Sequence, residues 1–203
     1  LWMLVAATAG AARADDACPR AMSREPAAVA AEANCLLARY LRLDTTNPPG
    51  HEALAAAFVR DYLAGEGIEA QLVADASGRS NVVARLHGDG TARALMLVHH
   101  MDVVPAEGEW SVAPFAGEVR DGYLWGRGAL DNKGPGVMEL VAFVLLKRLG
   151  VPLARDVVLL GVADEEQGGG HGARFLMGEP FDALFKDVEF ALNEGGALLV
   201  HDD

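Results

Sequence analysis

The sequence predicts an α/β fold, a mixed and mostly parallel sheet flanked by helices. Short apolar runs at 95–98 (LMLV) and 157–163 (VVLLGVA) have the length and content of strands inside a sheet, and 188–192 (VEFAL) reads as a last strand. Segments of helical period separate them, and an alternation of strand, helix, strand, helix, strand implies parallel strands with right-handed crossovers. Each run also ends in ionisable residues: His100 and Asp102, then Glu165 and Glu166, then Glu194.

Taken in order, the first helix is expected from Pro26 to Leu43, rich in Ala and Leu and broken by the loop Asp44-Thr45-Thr46-Asn47-Pro48-Pro49-Gly50. A second helix, Glu52–Ala64, places Leu54, Phe58 and Tyr62 at i, i+4, i+8 and is closed by Gly65 and Gly67. Glu69–Ala74 and Asn81–Leu86 read as strands separated by Asp75-Ala76-Ser77-Gly78, and the run at 95–99 as their neighbour. Phe115–Trp125 reads as a hairpin about Asp121-Gly122, a dipeptide that supplies the positive φ of a tight turn.

The stretch GRGALDNKGPG, 126–136, has five glycines or prolines in eleven residues and is expected to be a loop carrying Asp131 and Lys133. Gly134 follows Lys133, so the Lys-Ser/Thr ending of a phosphate-binding loop is absent. Val137–Leu149 is apolar almost all round, predicting a well-buried helix. Beyond it come a strand at Asp156–Ala163, a glycine run at 168–172, a short helix at Ala173–Met177, and a last strand, Val188–Leu192, that leads into Asn193-Glu194-Gly195-Gly196.

With 203 residues, 51% hydrophobic, the chain can bury a sizeable core as one domain or part of a larger one. Asp and Glu number 29 against 17 Lys and Arg, a formal charge of −12 that argues against nucleic acid and anionic membranes as partners. Residues 1–14, LWMLVAATAGAARA, read as the late part of a secretory signal with an Ala12-Arg13-Ala14 cleavage site, too short to span a bilayer; the alternative is an apolar first helix. The protein is therefore expected to be exported, to a periplasm or the extracellular space. Cys18 and Cys35 are the only cysteines and lack metal-site spacing; an exported protein could pair them, and two unpaired thiols are the alternative.

His100 and Asp102 lie two apart, so in an extended backbone both point to one side, and a carboxylate there can accept the second ring N–H of a metal-ligating imidazole. In open α/β sheets the ligand crevice lies beyond the carboxyl ends of the strands, where His100, Asp102, Glu165, Glu166 and Glu194 would converge, together with Asp131 from its loop. Taken singly, a pair such as Glu165-Glu166 reads as a solvated loop; convergence makes the case. One imidazole with several carboxylates suits zinc or a similar divalent ion, and more than three acidic ligands suggests two ions sharing one. Two ions with a spare carboxylate as base are equipment for amide hydrolysis. A serine or cysteine nucleophile is disfavoured, since there is no G-x-S-x-G elbow and neither cysteine has a nucleophile context.

HHMDVVP, WGRGALDNKG, DEEQGGGHG and NEGG occur in the order and approximate spacing of the zinc-dependent exopeptidase and deacylase family of aminoacylase, glutamate carboxypeptidase, acetylornithine deacetylase and carboxypeptidase S, which the chain resembles over roughly residues 26–200. TTNPPG is similar to that family's N-terminal region, and GRGALDNKG and NEGG look closest to the carboxypeptidase S branch. The resemblance implies that residues 15–203 are the N-terminal part of a catalytic domain, without its dimerisation domain and C-terminal part. It implies metal ligation by His100, Asp131, Glu166 and Glu194, with Asp131 bridging two ions, Asp102 orienting His100 and Glu165 as general base. The Asp131–Asn132 peptide would be cis.

The cofactor implied is Zn2+, two ions in the complete enzyme, with Co2+ or Mn2+ as substitutes. The substrate would be a small peptide or N-acyl amino acid, and the complete enzyme a homodimer. The chain departs from the family in carrying His99 where Gly is usual and in lacking the second ligand His, which implies that this chain alone is inactive. His171 and His201 read as surface residues rather than replacements, and His51 and His87 as ordinary. The alternative to a hydrolase is a truncated or non-catalytic relative that keeps the fold and one metal.

Overall fold

A computed structural model of the chain describes residues 17–195. The expected leader at 1–14, Gly196 and His201 lie outside the described residues. Helix α1 (Pro26–Leu41) opens on a proline, whose fixed φ suits a first helical position, and is followed by α2 (Glu52–Gly65). Strands β1 (Ala70–Ala74), β2 (Ser80–Leu86) and β3 (Ala94–His100) come next, then a hairpin of β4 (Glu118–Arg120) and β5 (Tyr123–Trp125). Helix α3 (Lys133–Arg148), β6 (Val157–Val162), two one-turn helices α4 (Ala173–Leu176) and α5 (Phe181–Leu184), and β7 (Val188–Leu192) complete the order.

The main sheet runs β1-β2-β6-β3-β7 and is mixed. The parallel part is β6, β3 and β7; β1 pairs antiparallel with β2, and β2 antiparallel with β6. A turn of five residues joins β1 to β2, too short for the crossover a parallel pair requires. Strand β6, in the middle, is buried along its whole length. Alternation sends Val157 and Leu159 into a core shared with α1, α2 and α3, and Val158, Leu160 and Val162 into a second core under α4 and α5.

Two expectations along the chain are corrected. The glycine- and proline-rich stretch 126–136 is not loop throughout, because α3 already begins at Lys133. Pro135 falls in the first helical turn, where a missing N–H loses no intrahelical bond. Nor is α3 buried all round: Val137, Leu140, Val141, Phe143 and Val144 face the core, while Met138 is exposed.

Cys18 and Cys35 form a disulfide that ties the segment ahead of α1 to that helix. On the same side, Arg148 of α3 reaches Glu32 of α1 at 2.7 Å and Glu66 beyond α2 at 2.8 Å, a buried ion triad joining the three helices. Among the described residues no helix is long and apolar enough to cross a membrane.

Candidate metal centre

The centre forms where β3 and β6 end and just past β7. His99 and His100 close β3 and alternate across the sheet: His99 turns toward α3 and His100 toward the carboxylates. His100 Nε2 lies 2.8 Å from Asp131 Oδ1 and 3.4 Å from Glu194 Oε1. Ligand atoms of His100, Asp131 and Glu194 all lie within 4.8 Å of one another, so three residues separated by up to 94 positions meet at one point. Asp131 precedes α3, and its peptide to Asn132 is cis, as the motif implies. Buried Asn132 donates through Nδ2 to Glu194 Oε2, holding the third member of the group. Lys133 is wholly buried and donates to the Leu43 carbonyl at 2.7 Å; burial lowers its pKa to about 8.

The nearest acceptor for His100 Nδ1 is the backbone carbonyl of Asp102, at 3.0 Å, with the Asp102 carboxylate at 3.5 Å. That wholly buried carboxylate instead accepts from Asn47 Nδ2 at 2.8 Å and from the amides of Glu165 and Glu166, each at 3.1 Å. Burial alone would raise its pKa, but hydrogen bonds from His100, Asn47 and the Glu165 amide outweigh that and lower it. Burial would likewise lower the His100 pKa, yet the carboxylates of Asp102, Glu194 and Asp131 lift it to about 9. Glu166 shifts upward, first through burial and then through the negative charge of Asp131.

Glu165 and Glu166 start a 3₁₀ turn, Glu165–Gln167, directly after Asp164, which lies in the left-handed region at φ 66°. Glu165 is exposed and, with His100, Arg174, Asn193 and Glu194, lines a cleft of about 350 Å³. Glu166 stands outside the three-residue group that forms around His100.

The donor set fits a divalent cation. One imidazole and two carboxylates meet with their ligand atoms together, the donor types that divalent ions take. Of the remaining histidines, His171 is no free surface residue: its Nδ1 lies 2.5 Å from Asp75 Oδ2. His87 pairs with Asp156, and His51 sits at the start of α2.

Motif reading missed the residues behind the ligands. Asn47 bridges Asp102 and Asp164, and Glu52, wholly buried at the start of α2, pairs with Arg79. Asn81 accepts the Ala163 amide and donates to the carbonyls of Val73 and His171. The only signal in sequence was the TTNPPG stretch itself. An acid in a first helical turn and an asparagine between proline and threonine are what ordinary caps and turns contain.

A mixed sheet carrying an imidazole and carboxylates beyond its strand ends defines a carboxylate-rich site able to hold a divalent metal. The family described as peptidase family M20/M25/M40 matches residues 96–201, and the chain belongs to it. It is 36% identical to aminoacylase-1 of Sus scrofa over 164 residues, which cover 79% of this chain and 40% of that protein. The M20 family metallo-carboxypeptidase Sso-CP2 of Sulfolobus solfataricus superposes with a TM-score of 0.72 at 24% identity, over 82% of this chain and 38% of the other. The dinuclear metal-binding peptidase YXEP of Bacillus subtilis superposes at 0.56 with 18% identity, over 79% and 42%. The chain thus spans about 40% of the length of the curated relative it matches.

Proposed function

We propose that the protein is a zinc-dependent amidohydrolase that cleaves the amide bond of an N-acyl amino acid or the C-terminal peptide bond of a small peptide. The observation that carries this reading is the exposed carboxylate of Glu165 in the same cleft as His100 and Glu194, since a metal held only for structure needs no free base beside it. His100, Asp131 and Glu194 would hold one ion, and Asp131 with Glu166 would contribute to a second. Bound there, zinc supplies Lewis acidity that polarises the scissile carbonyl and acidifies water.

The chain's own residues do the rest. Glu165 accepts the proton of the attacking water and passes it to the amine nitrogen as the C–N bond breaks, leaving a carboxylic acid and an amine. Asp102 fixes the amides of Glu165 and Glu166 from below, and its carbonyl orients His100. Asn132 steadies Glu194. Two ions are supported by the ligand count and by the dinuclear centre of the Bacillus relative. The Cys18–Cys35 pair supports the exported location, and the complete protein would be a homodimer.

The test is Glu165→Gln in the full-length protein loaded with zinc. It should keep its metal and lose turnover of N-acyl amino acids by ~10²- to 10⁴-fold, the usual size of a general-base contribution. Near-normal turnover would move the base elsewhere.

A further inference from the structure

We infer that Arg79 is a positioning residue for catalysis, holding the Glu165–Glu166 turn in place through Asp164; the inference rests on the proposed hydrolase reading. Three carboxylates, those of Glu52, Asp102 and Asp164, are buried close together behind the metal centre, and Arg79 is the guanidinium that reaches two of them. Its Nε donates to Glu52 Oε2 at 2.6 Å and its Nη2 to Glu52 Oε1 and, at 3.2 Å, to Asp164 Oδ1. Its Nη1 donates to the Pro49 carbonyl at 3.1 Å. A planar fork of five donors suits such a site, whereas a lysine offers a single point of charge.

Asp164 is the last residue before the base. At φ 66° it turns the chain from β6 into the turn that carries Glu165 and Glu166, a left-handed conformation uncommon outside glycine though more accessible to Asp than to most residues. Its carboxylate is held by Arg79, by Asn47 Nδ2 at 3.0 Å and by the His171 amide at 3.1 Å, and its own amide donates to Glu52 Oε1 at 3.2 Å. Arg79 therefore joins both supports of the turn, the Glu52 helix start and the loop whose Asn47 also grips Asp102. Gly50, whose φ of +90° already favours glycine, also leaves the guanidinium its room: a Cβ there would lie 2.1 Å from the guanidinium carbon.

A positioning role differs from a merely stabilising one, and the Glu32–Arg148–Glu66 triad supplies the control, because it is equally buried but remote from the turn. We would compare Arg79→Met, Arg79→Lys and Arg148→Met by amide hydrogen exchange in the 203-residue chain and by steady-state hydrolysis of an N-acyl amino acid in the zinc-loaded full-length protein. Arg79→Met should speed exchange at 164–172 by ~10-fold or more over Arg148→Met, with β6 protected alike in both. It should lower kcat per bound zinc by ~10-fold or more with KM within about threefold, and Arg79→Lys should fall between it and the parent.

Exchange at 164–172 no faster than in Arg148→Met, or an unchanged kcat, would overturn the inference. If Arg79→Met fails to fold, Arg79→Lys, which keeps the charge but not the fork, decides the same question. If the unaltered protein shows no hydrolysis, the hydrolase reading fails, and the exchange comparison alone decides whether Arg79 holds the turn.

Discussion

Asn47 Nδ2 donates to Asp102 Oδ2 at 2.8 Å and to Asp164 Oδ1 at 3.0 Å, so one buried amide stands between two buried carboxylates. Without it Asp102 Oδ2 would be left with the Glu166 amide and Asp164 Oδ1 with Arg79 Nη2, each buried charge short of one donor, and losing a partner of a buried polar group costs about 1–3 kcal/mol, more when charged. Asn47→Ala should therefore destabilise the chain by about 3 kcal/mol in urea unfolding; a loss within measurement error would mean that Arg79 alone suffices. At this scale the sequence was legible for a clear reason. His100, Asp131 and Glu194 carry chemistry that a strand end or a glycine-rich loop has no structural need of, so their convergence could be read. Asn47 and Asp164 could not, because Asn and Asp are the residues any turn would contain, and their partners lie 55 and 117 positions from Asn47.

His99 shows how one element makes room for another. Its buried ring rests against α3, 3.4 Å from Glu139, and a Cβ on Gly136 would come within 2.3 Å of it. The ring that ends β3 is thus accommodated by the glycine it packs against on α3. Gly136→Ala should cost about 1–3 kcal/mol by overpacking, and His99→Ala in the same chain should recover part of that. A double-mutant cycle of urea midpoints checks the pairing; strict additivity would show that the ring relaxes into other space. The apolar runs of β3 and β6 placed those strands to within a residue or two, since a strand covered on both faces reads as a continuous apolar run; β7, largely exposed, was placed as closely by its position just ahead of Asn193-Glu194. The start of α3 was hidden, because Gly134, Pro135 and Gly136 read as loop to any propensity argument, and close approach to Ala129 and His99 is what requires the two glycines.

Across the whole molecule, the alternation of strands and helices foretold the layers, while the antiparallel docking of β2 on β6 had no local signature, being settled by packing between segments more than seventy residues apart. The same separation governs the metal count. His100, Asp131 and Glu194 form a three-donor set within the described residues, with Asn132 and Asp102 fixing its members. Glu166 lies outside that set. Among the described residues no imidazole joins Asp131 and Glu166 to complete a second three-residue group, and loss of a direct ligand weakens binding by more than the ~10- to 100-fold typical of changes one shell further out. The isolated 203-residue chain should therefore bind about one zinc and hydrolyse no N-acyl amino acid at a measurable rate. His100→Ala should abolish that zinc, and with it the concentration-dependent rise in Tm that binding to the folded state confers. Calorimetric titration decides the count: two tight sites would mean that Glu166 completes a second centre from donors within these 203 residues.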